Sequence, residues 1–466
     1  MDGIALIIAF VIAIVVMILL ISKFKVHPFI SIMLVSLAFG LIAGIPLVDT
    51  TNADGTTTQG IATVIGAGFS GTFTSIGIVI ILGALVGAIL EATGGAFKLA
   101  DMVVKLVGKK HPEAAMELMG WIVSIPVFCD SGFVILNPIR KALVQRTAAS
   151  SVMLTVALSC GLYISHVFIP PTPGPIAAAG SLGLENNLLL VMGVGALASI
   201  FPLIAGFFYA RFIGKRVKSE DEADPSIVSQ TYEEIVASYG KLPGGFLTLA
   251  PIVVPIVLMA LGSIASMAGW TGIVYDLCAF FGTPMVALGV GVLFGVIQLI
   301  SVQQLDKFYS LCEDTLKTVG PILFITAAGG VLGKVISSTS MVEFIESQAG
   351  TLQALGIFFP FLLAAILKTA QGSSTVAITT TAGMLAPLMG TLGFSTELDA
   401  ALVVMAIGAG AMTVSHANDS YFWVVTNFGA MQPEQGYKTQ TIATGILGVA
   451  SIVGIWVIYM IAGAIG

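Results

Sequence analysis

Two short polar segments interrupt long apolar stretches of the chain, and their residue types suit the binding of a small anion. The first segment, 129–132, carries an acid and a serine, and the second, 369–375, is rich in hydroxyl groups. An apolar run follows each segment, so each predicts a helix start, where free backbone N–H groups and the positive end of the helix dipole attract anions. Helix capping is the alternative role for the same side chains. The candidate binding residues in the two segments are Ser131, Gly132, Gln371, Gly372, Ser373, Ser374 and Thr375.

Two charged residues at these segments are candidates for handling charge during binding. Asp130 lies inside an apolar stretch, where a charged aspartate costs about 2.5–3.5 kcal/mol on insertion scales and where burial disfavours the ionised form. Asp130 is therefore a candidate proton carrier. Lys368 immediately precedes the second segment. It is a candidate ligand for a substrate carboxylate, with an ion pair to Asp130 or extension towards the membrane interface as alternatives.

Two Ser-His pairs mark the ends of two further apolar runs. The pairs are 165–166 and 415–416, and the helical pattern breaks after each. A histidine can titrate near neutral pH, and a hydrogen-bonded place in the core is the alternative role for a buried one. His416 is a candidate for proton coupling, and the candidates for substrate binding near the breaks are His166, Thr172, Asn418 and Asp419. No set of His, Cys and carboxylate residues in the sequence has metal-ligand spacing, so we expect neither a metal nor a cofactor.

The composition decides the class of protein that positions these residues. Of the 466 residues, 57% are hydrophobic and only 9% are charged, which excludes a soluble globular domain and indicates a polytopic helical membrane protein. The 53 glycines suit close helix packing and interrupted helices. The net charge of −6 without a basic block gives no support for nucleic-acid binding. The expected surroundings are a lipid bilayer.

Apolar runs predict a series of membrane spans and two hairpins that enter the bilayer and return. The predicted spans are 3–22, 27–46, 72–91, 150–168, 188–210, 246–268, 284–303, 319–337, 398–416 and 440–464, and the predicted hairpins are 113–139 and 353–390. The N-terminal run predicts a first span rather than a cleaved signal peptide, because basic residues follow it. All but two of the 19 Lys and Arg residues fall in loops on one side of this arrangement, so the positive-inside rule places both termini outside the cytoplasm.

The two halves of the chain resemble one another. Residues 83–90 are similar to residues 329–336, and a predicted hairpin and a Ser-His pair follow in each half. The distribution of charged residues predicts that the two hairpins enter the membrane from opposite sides. The predicted fold class is an all-α polytopic membrane protein with an inverted repeat, each half having about five spans, one re-entrant hairpin and broken helices. The predicted units are a first repeat at 1–213, a cytoplasmic linker at 214–245 and a second repeat at 246–466.

Four segments of the sequence resemble the gluconate permease family, and the resemblance extends over essentially the whole chain. The segments are 125–136, 170–175, 371–377 and 415–423. The resemblance implies an inner-membrane symporter that takes up gluconate or a related small hydroxy or amino carboxylate with protons. It also implies the inverted-repeat, hairpin-containing fold of the wider ion-transporter group, commonly as a homodimer with a moving transport domain.

Many gluconate-type members of this family differ from the chain at three candidate positions. They carry Glu at the position of Asp130, Arg at that of Lys368 and His at that of Thr172. Asp is one methylene shorter than Glu, and Lys lacks the bidentate fork that Arg offers a carboxylate. These differences make a smaller substrate, such as glycerate, D-serine or 3-hydroxybutyrate, an alternative to gluconate itself.

The sequence therefore predicts a secondary active importer of a small hydroxycarboxylate, working by proton symport and alternating access in the cell inner membrane. Sodium coupling is the nearest alternative, because oxygen atoms at 130–132 and 371–375 could ligate Na⁺. A membrane-embedded enzyme that uses Asp130, His166 and His416 as acid and base is a further alternative, without an accompanying nucleophile or metal set. The expected partners are a small organic anion, a coupling proton and a second copy of the chain.

Overall fold

The fold is built almost entirely of helices. The computed structural model describes residues 3–51, 56–99, 102, 111–147, 149–220, 241–340, 355–416 and 419–465. Within these residues, the only β-structure is an antiparallel pair of two-residue strands, β1 (Thr50–Thr51) and β2 (Thr57–Thr58). A bilayer offers no water to backbone N–H and C=O groups, so an apolar chain satisfies them inside helices. The predicted all-α class is confirmed.

The helices of the first half begin and end in places that their sequences explain. In chain order they are α1 (Gly3–Ser22), α2 (Pro28–Ile42), α3 (Ile61–Thr72), α4 (Ile78–Ala92), α5 (Pro112–Val123), α6 (Cys129–Thr147), α7 (Ser151–Phe168), α8 (Pro173–Ser181) and α9 (Leu188–Ile213). A π-helical turn, Phe73–Gly77, joins α3 to α4. Pro28, Pro112 and Pro173 occupy first turns, where the missing N–H leaves no helical hydrogen bond unmade.

The second half contains two more interrupted segments. Its helices are α10 (Gly245–Met267), α11 (Gly272–Gly282), α12 (Pro284–Ser301), α13 (Phe308–Ser337), α14 (Phe358–Gln371), α15 (Ser374–Leu385), α16 (Glu397–Met412), α17 (Ser420–Phe428), α18 (Pro433–Gly436) and α19 (Ile442–Ile465). Short 3₁₀ turns, Leu305–Lys307 and Ala386–Leu388, precede α13 and follow α15. A second π-helical turn, Tyr437–Thr441, joins α18 to α19.

Six stretches of the described residues are long and apolar enough to cross a membrane. They are Ser151–Ser181, Leu188–Ile213, Gly245–Ser266, Pro284–Ser301, Leu305–Ser337 and Pro433–Gly463. Shorter apolar helices, including α2, α4 and α15, accompany them. Length and composition therefore agree with the membrane class that the sequence predicts.

Several segments between the predicted spans are helical, which corrects the sequence prediction. Helices α3, α8 and α17 lie almost wholly in such segments, and three further loops are partly helical. Helix α6 continues through 140–147, α11 fills most of 269–283, and α13 begins at Phe308 rather than near residue 319. Membrane helices extend into their charged flanks, whereas hydropathy detects only their apolar part.

The loop before α3 is fastened to that helix by one aspartate. The carboxylate of Asp49 accepts hydrogen bonds from the backbone amide of Gly60 at 2.6 Å and from the hydroxyl of Thr63 at 3.0 Å. These two bonds favour the ionised form and lower the pKa of Asp49. The amide of Gly60 lies just before α3, so the contact fixes where that helix begins.

Four interruptions divide helices inside the apolar sequence, between α5 and α6, α7 and α8, α14 and α15, and α16 and α17. Pro126 and the pair Pro170-Pro171 lie in the first two, where proline cannot continue the helical hydrogen bonds. Gly372 ends α14 with a φ of 92°, a left-handed conformation that a residue with a side chain rarely adopts. Val414, just after α16, has a φ of 59°, which is unusual for a β-branched residue.

The centre of the fold is the contact between α7 and α16, both of which are buried along most of their length. Helices α5 and α6 pack on α7, and α14 and α15 pack on α16. Helix α8 packs on α15, α17 packs on α6, and α9 and α19 each contact both central helices. The interrupted ends are therefore gathered around the central pair.

Two glycines let α4 lie directly against two of the interruptions. A Cβ atom at Gly83 would lie 2.8 Å from the carbonyl oxygen of Pro171, and one at Gly87 would overlap the carbonyl oxygen of Pro126. Only a residue without a side chain allows this approach, as at other close contacts between membrane helices. Helix α4 thus supports the breaks that precede α6 and α8.

Candidate functional site

Three helix starts meet at a cavity of about 280 Å³ between the interrupted helices. The helices are α6, α15 and α17, which begin at Cys129, Ser374 and Ser420. The lining residues are Phe128, Cys129, Asp130, Tyr163, His166, Gly372, Ser373, Ser374, Thr375, Asp419, Ser420 and Tyr421. Each helix start carries a partial positive charge from its backbone N–H groups, so three converging starts favour an anion.

Lys368 and Asp419 form a buried ion pair at this cavity. The Nζ of Lys368 lies 2.6 Å from Oδ2 of Asp419, and the lysine is completely buried. The same ammonium group donates to the carbonyl oxygen of Gly372 and lies 5.8 Å from the centre of the Tyr163 ring. The pair therefore connects the end of α14 to the start of α17. The sequence had suggested Asp130 as the alternative partner of Lys368, and the structure places Asp419 there instead.

Asp419 accepts hydrogen bonds from further donors. Its Oδ1 accepts a hydrogen bond from the backbone amide of Tyr421 at 3.1 Å, so Asp419 is the N-cap of α17. The hydroxyl of Ser415 donates to its Oδ2. A buried carboxylate that has both a cation and hydrogen-bond donors meets the conditions for a stable buried charge.

Asp130 lies in the first turn of α6, in the same cavity as Asp419. It accepts a hydrogen bond from the thiol of Cys129, with Sγ 3.5 Å from Oδ2, and Ser420 lines the same cavity. Among the ion pairs of the described residues, none involves Asp130. The negative charges of Asp130 and Asp419 act on each other. Asp130 is therefore the carboxylate of the cavity whose charge is not balanced by a neighbouring cation.

His166 and Tyr163 form an aromatic wall of the cavity. Their rings are nearly parallel, at 15°, with centroids 6.4 Å apart. His166 is buried, and its Nδ1 has no hydrogen-bond partner within the described part of the protein. The hydroxyl of Tyr163 donates to Oδ2 of Asp419 at 3.5 Å. A buried ring nitrogen without a protein partner at a polar cavity is suited to contact a ligand or water.

Most of the residues predicted in the second polar segment line the cavity. They are Gly372, Ser373, Ser374 and Thr375, which lie together with Asp130, His166 and Asp419. The side chain of Ser373 accepts a hydrogen bond from the backbone amide of Val376 at 3.3 Å and so caps α15. Gln371 is the last residue of α14. Its side chain, and the whole of Asn418, lie outside the described residues. The binding roles of all these residues stay predictions.

Ser131 and Gly132 point away from the cavity although they directly follow Asp130. Ser131 lines a different cavity on the opposite side of α6, together with Glu91. Gly132 faces Leu162, since a Cβ atom there would lie 2.7 Å from a leucine methyl group. Consecutive helical residues point about 100° apart, so Ser131 and Gly132 face in other directions than Asp130.

Thr172 and His416 also lie outside the set of lining residues. The hydroxyl of Thr172 donates to the carbonyl oxygen of Ile169 at 2.7 Å, within the break before α8. The Nε2 of His416 lies 3.1 Å from the carbonyl oxygen of Thr369 near the end of α14. His166 lies inside the last turn of α7, whereas His416 follows the end of α16, so the two histidines occupy different places in their halves.

Five lining residues are not among those predicted from the sequence, namely Phe128, Cys129, Tyr163, Ser420 and Tyr421. A signal existed for Tyr163, because it precedes His166 by three residues and the two share one face of α7. Tyr421 donates its hydroxyl to the carbonyl oxygen of Ser159 at 3.1 Å, a contact between distant segments that no spacing reveals.

A fully buried arginine fastens three of the helices around the site. Arg140 on α6 donates from Nε to Oδ1 of Asn137 at 2.8 Å and from Nη2 to the carbonyl oxygen of Phe428 on α17 at 3.2 Å. Its Nη1 donates to the hydroxyl of Ser151 on α7. The sequence placed this residue in a cytoplasmic loop, and its burial instead makes it a structural anchor.

Replacing Arg140 by methionine is expected to lower the free energy of unfolding by about 3 kcal/mol, because charged hydrogen bonds to buried acceptors are lost. Thermal-shift measurement of the purified protein in detergent tests this expectation. Lys215→Met, at an exposed lysine, is the matched control and should leave the transition temperature unchanged. Equal transition temperatures for the two variants would contradict the anchoring role.

The fold and the site together define a class of protein. A helical membrane protein in which broken helices meet around a cavity with buried charges has the architecture of a secondary transporter. Among the described residues, no group of three or more His, Cys, Asp or Glu side chains is placed to hold a metal ion. The model of the GntP family permeases matches residues 5–461, and the chain belongs to that family. The predicted family and the predicted permease class, rather than an enzyme, are confirmed.

Relatives of similar length carry permease or transporter names. An uncharacterized permease of Haemophilus influenzae is 32% identical over 461 residues, covering 96% of this chain and 91% of its own. The inner membrane permease YgbN of Escherichia coli is 30% identical over 456 residues, covering 96% and 97%. The high-affinity gluconate transporter of Escherichia coli is 28% identical over 453 residues, covering 97% and 98%.

Two solved transporter structures share the fold. The YdaH transporter of Alcanivorax borkumensis matches with a TM-score of 0.61 and 15% identity, covering 93% of this chain and 97% of its own. MtrF of Neisseria gonorrhoeae, described as one of a class of antimetabolite efflux pumps, matches with a TM-score of 0.64 and 15% identity, covering 94% and 96%. At this identity the likeness concerns the fold alone.

Proposed function

We propose that the protein imports gluconate or a related small hydroxycarboxylate across the cell inner membrane together with protons. The observation that carries this proposal is the cavity at which three helix starts meet two carboxylates and one buried ammonium group. The gluconate transporters among the relatives support a substrate of this class.

The substrate carboxylate binds at the start of α15 in this proposal. The starts of α6 and α17 already carry the carboxylates of Asp130 and Asp419, whereas α15 offers the hydroxyl-bearing residues Ser374 and Thr375. An anion at the start of α15 gains the helix dipole and these hydroxyl donors. Hydroxyl groups of the substrate reach the carboxyl groups of Asp130 and Asp419 at the starts of α6 and α17.

The charge of the cavity is the reason for coupling to protons. Two ionised carboxylates and one ammonium group leave a net negative charge, which opposes an incoming anion. Two like charges about 5 Å apart at an effective dielectric constant of about 20 repel by about 3 kcal/mol, or about 100-fold in affinity. A proton on Asp130 removes this repulsion, and Lys368 balances the charge of Asp419.

Correspondence between the halves supports the inverted repeat and the alternating access that we propose with it. Helices α5 to α9 correspond in order to α14, α15, α16, α17 and α19. In the first half α5 packs on α7, and in the second half the corresponding α14 packs on α16. In the same way α6 packs on α17, and the corresponding α15 packs on α8. Such pairs let one bundle move against the other around a central site.

We also propose the division of the chain and the membrane orientation that the sequence predicts. The units are 1–213, a cytoplasmic linker at 214–245 and 246–466, with re-entrant hairpins formed by α5–α6 and α14–α15 and both termini outside the cytoplasm. The distribution of Lys and Arg over the loops supports this orientation. A homodimer completes the proposal, and crosslinking in native membranes tests it.

Removing the hydroxyl groups at the start of α15 is expected to weaken substrate binding. Ser374→Ala combined with Thr375→Ala should raise the dissociation constant about 10- to 100-fold, since each lost hydrogen bond to a charged group costs about 1.5–3 kcal/mol in part offset by water. Isothermal titration with the purified protein measures the change. Thr396→Ala, at the exposed cap of α16, is the control and should leave affinity unchanged. Unchanged affinity in the double variant would place the substrate carboxylate elsewhere.

Uptake into proteoliposomes tests the function as a whole. Vesicles with an acidic exterior in sodium-free buffer should accumulate labelled gluconate, glycerate, 3-hydroxybutyrate or D-serine, and the substrate is the compound taken up best. Accumulation that follows a sodium gradient at equal pH, and not the pH gradient, would establish sodium coupling and overturn the proposal. A passive monoanion carrier would work against an inside-negative potential worth about 2.3 kcal/mol per 100 mV.

A further inference from the structure

A second cavity lies behind the substrate cavity, on the opposite side of the α6 start. Its volume is about 360 Å³, and it lies between α4, the α6 start and α13. Phe128 lines both cavities, so a single side chain marks the boundary between them. The polar residues of the second cavity are Glu91, Ser131, Asp314, Thr315 and Thr318.

The inner part of this cavity contains an acid close to the substrate site. Glu91, in the last turn of α4, is half-buried and lines this cavity together with Ser131, the residue that follows Asp130. Thr315 is only 6% exposed, and its hydroxyl has no hydrogen-bond partner among the described residues. A buried hydroxyl without a protein partner at a polar cavity indicates water in that space.

The other charged groups near this cavity lie further out or on another face. Asp314 on α13 pairs with Lys317 at 3.4 Å, and both side chains are 71% exposed, so solvent screens them. Asp130 lies on the opposite face of α6. Helix α12, packed on α4, brings the uncharged amide of Gln298 close to the end of α4, and α8 and α10 contain no charged residue.

The internal repeat places a cavity of different charge at the matching positions of the second half. Residues 84, 87, 88 and 91 of α4 correspond to 330, 333, 334 and 337 of α13, and these line a cavity of about 320 Å³. Glu91 is matched there by Ser337, and Ala88 is matched by Lys334. In the proposed orientation the acidic cavity faces the cytoplasm and the basic one faces outside. The inner cavity therefore contains a carboxylate, and the outer one contains an ammonium group.

We propose that Glu91 is the inner proton acceptor of the transport cycle, which receives the proton released by Asp130 and passes it to water in the cytoplasmic cavity. This inference rests on the proposed proton symport. When the substrate has left, the O–H bond of Asp130 breaks and an O–H bond forms on a carboxylate oxygen of Glu91, with water and the hydroxyl of Ser131 between them. Asp130 is left ionised, and Glu91 then gives its proton to solvent water and returns to its ionised state.

Comparison of net uptake with exchange tests the inference in sodium-free proteoliposomes. Net uptake driven by a pH gradient requires the protein to release its proton in every cycle, whereas exchange of labelled for unlabelled substrate at equal pH does not. Glu91→Gln should slow net uptake about 100-fold, the range of a lost proton-transfer group, and leave exchange at the wild-type rate. Glu91→Asp should restore much of the net uptake. Asp314→Asn, which removes an exposed acid at the mouth of the same cavity, should leave both rates unchanged.

The possible outcomes separate this inference from the function on which it rests. Wild-type uptake that follows the pH gradient, together with normal net uptake by Glu91→Gln, would overturn the role of Glu91 and leave proton symport intact. Loss of exchange as well as net uptake in Glu91→Gln would show a structural role and also overturn the inference. Wild-type protein that ignores the pH gradient would overturn proton symport, and the role of Glu91 with it.

Discussion

Replacing Lys368 by methionine is expected to abolish uptake and to lower the free energy of unfolding by about 3–5 kcal/mol. The substitution leaves the buried carboxylate of Asp419 without its cation. It also removes the hydrogen bond that Lys368 donates to the carbonyl oxygen of Gly372. The end of α14 and the start of α17 then lose the contact that holds them together. Thermal-shift measurement and labelled-substrate uptake in proteoliposomes give the two readouts.

A double variant separates the effect on stability from the effect on transport. Lys368→Met with Asp419→Asn removes both charges of the pair, so most of the lost free energy of unfolding should return. Uptake should stay absent, because the end of α14 and the start of α17 still lack the contact that holds them together at the cavity. A Lys368→Met protein as stable and active as the wild type would contradict the importance of the pair.

Replacing Asp130 by asparagine is expected to reduce uptake driven by a pH gradient about 100-fold or more while substrate binding persists. Asparagine is neutral and close to aspartate in size, so the cavity still accepts an anion but has lost its titrating carboxyl group. Wild-type affinity should rise as the pH falls, because protonation of Asp130 removes the repulsion of the anion, and the affinity of the variant should not depend on pH over that range.

A conservative replacement at the same position provides the control. Asp130→Glu retains a carboxyl group and should recover uptake driven by the pH gradient. If Asp130→Asn accumulates substrate as fully as the wild type in a pH gradient without sodium, another group carries the proton.

The interrupted helices were the part of the fold that the sequence revealed best. Pro126 and the prolines after Ile169 break helices because they lack an N–H, and Gly372 ends α14 because it alone adopts the required φ easily. The hydroxyl-rich start of α15 follows from the residue types at 373–375, which suit a helix cap. These features depend on local chemistry, which the sequence records directly.

The partners of the buried charges could not be predicted, because they depend on packing between distant helices. Asp419 lies 51 residues after Lys368 in the chain, and only the docking of α17 against the end of α14 brings the two together. Arg140 was placed in a loop because basic residues usually mark cytoplasmic flanks. Arg140 is buried where distant parts of the chain meet. The carbonyl oxygen of Phe428, 288 residues away in sequence, accepts one of its hydrogen bonds.

The direction of neighbouring side chains at the α6 start was also beyond the sequence. Asp130 and Ser131 are adjacent in sequence but line different cavities. Helical rotation of about 100° per residue predicts their divergence once the first helical residue is known, and that boundary is the least certain part of a sequence prediction. Only the folded protein shows that Glu91 and Ser131 line the same cavity.

The proton count of substrate binding tests the coupled site most directly. Isothermal titration of the purified protein with its best carboxylate, in buffers of different ionisation enthalpy above pH 7, gives the protons taken up per bound molecule. We expect about one proton per carboxylate for the wild type and none for Asp130→Asn. Substrate binding by the wild type without proton uptake, or equal uptake by both proteins, would contradict a site in which Asp130 is protonated to admit the anion.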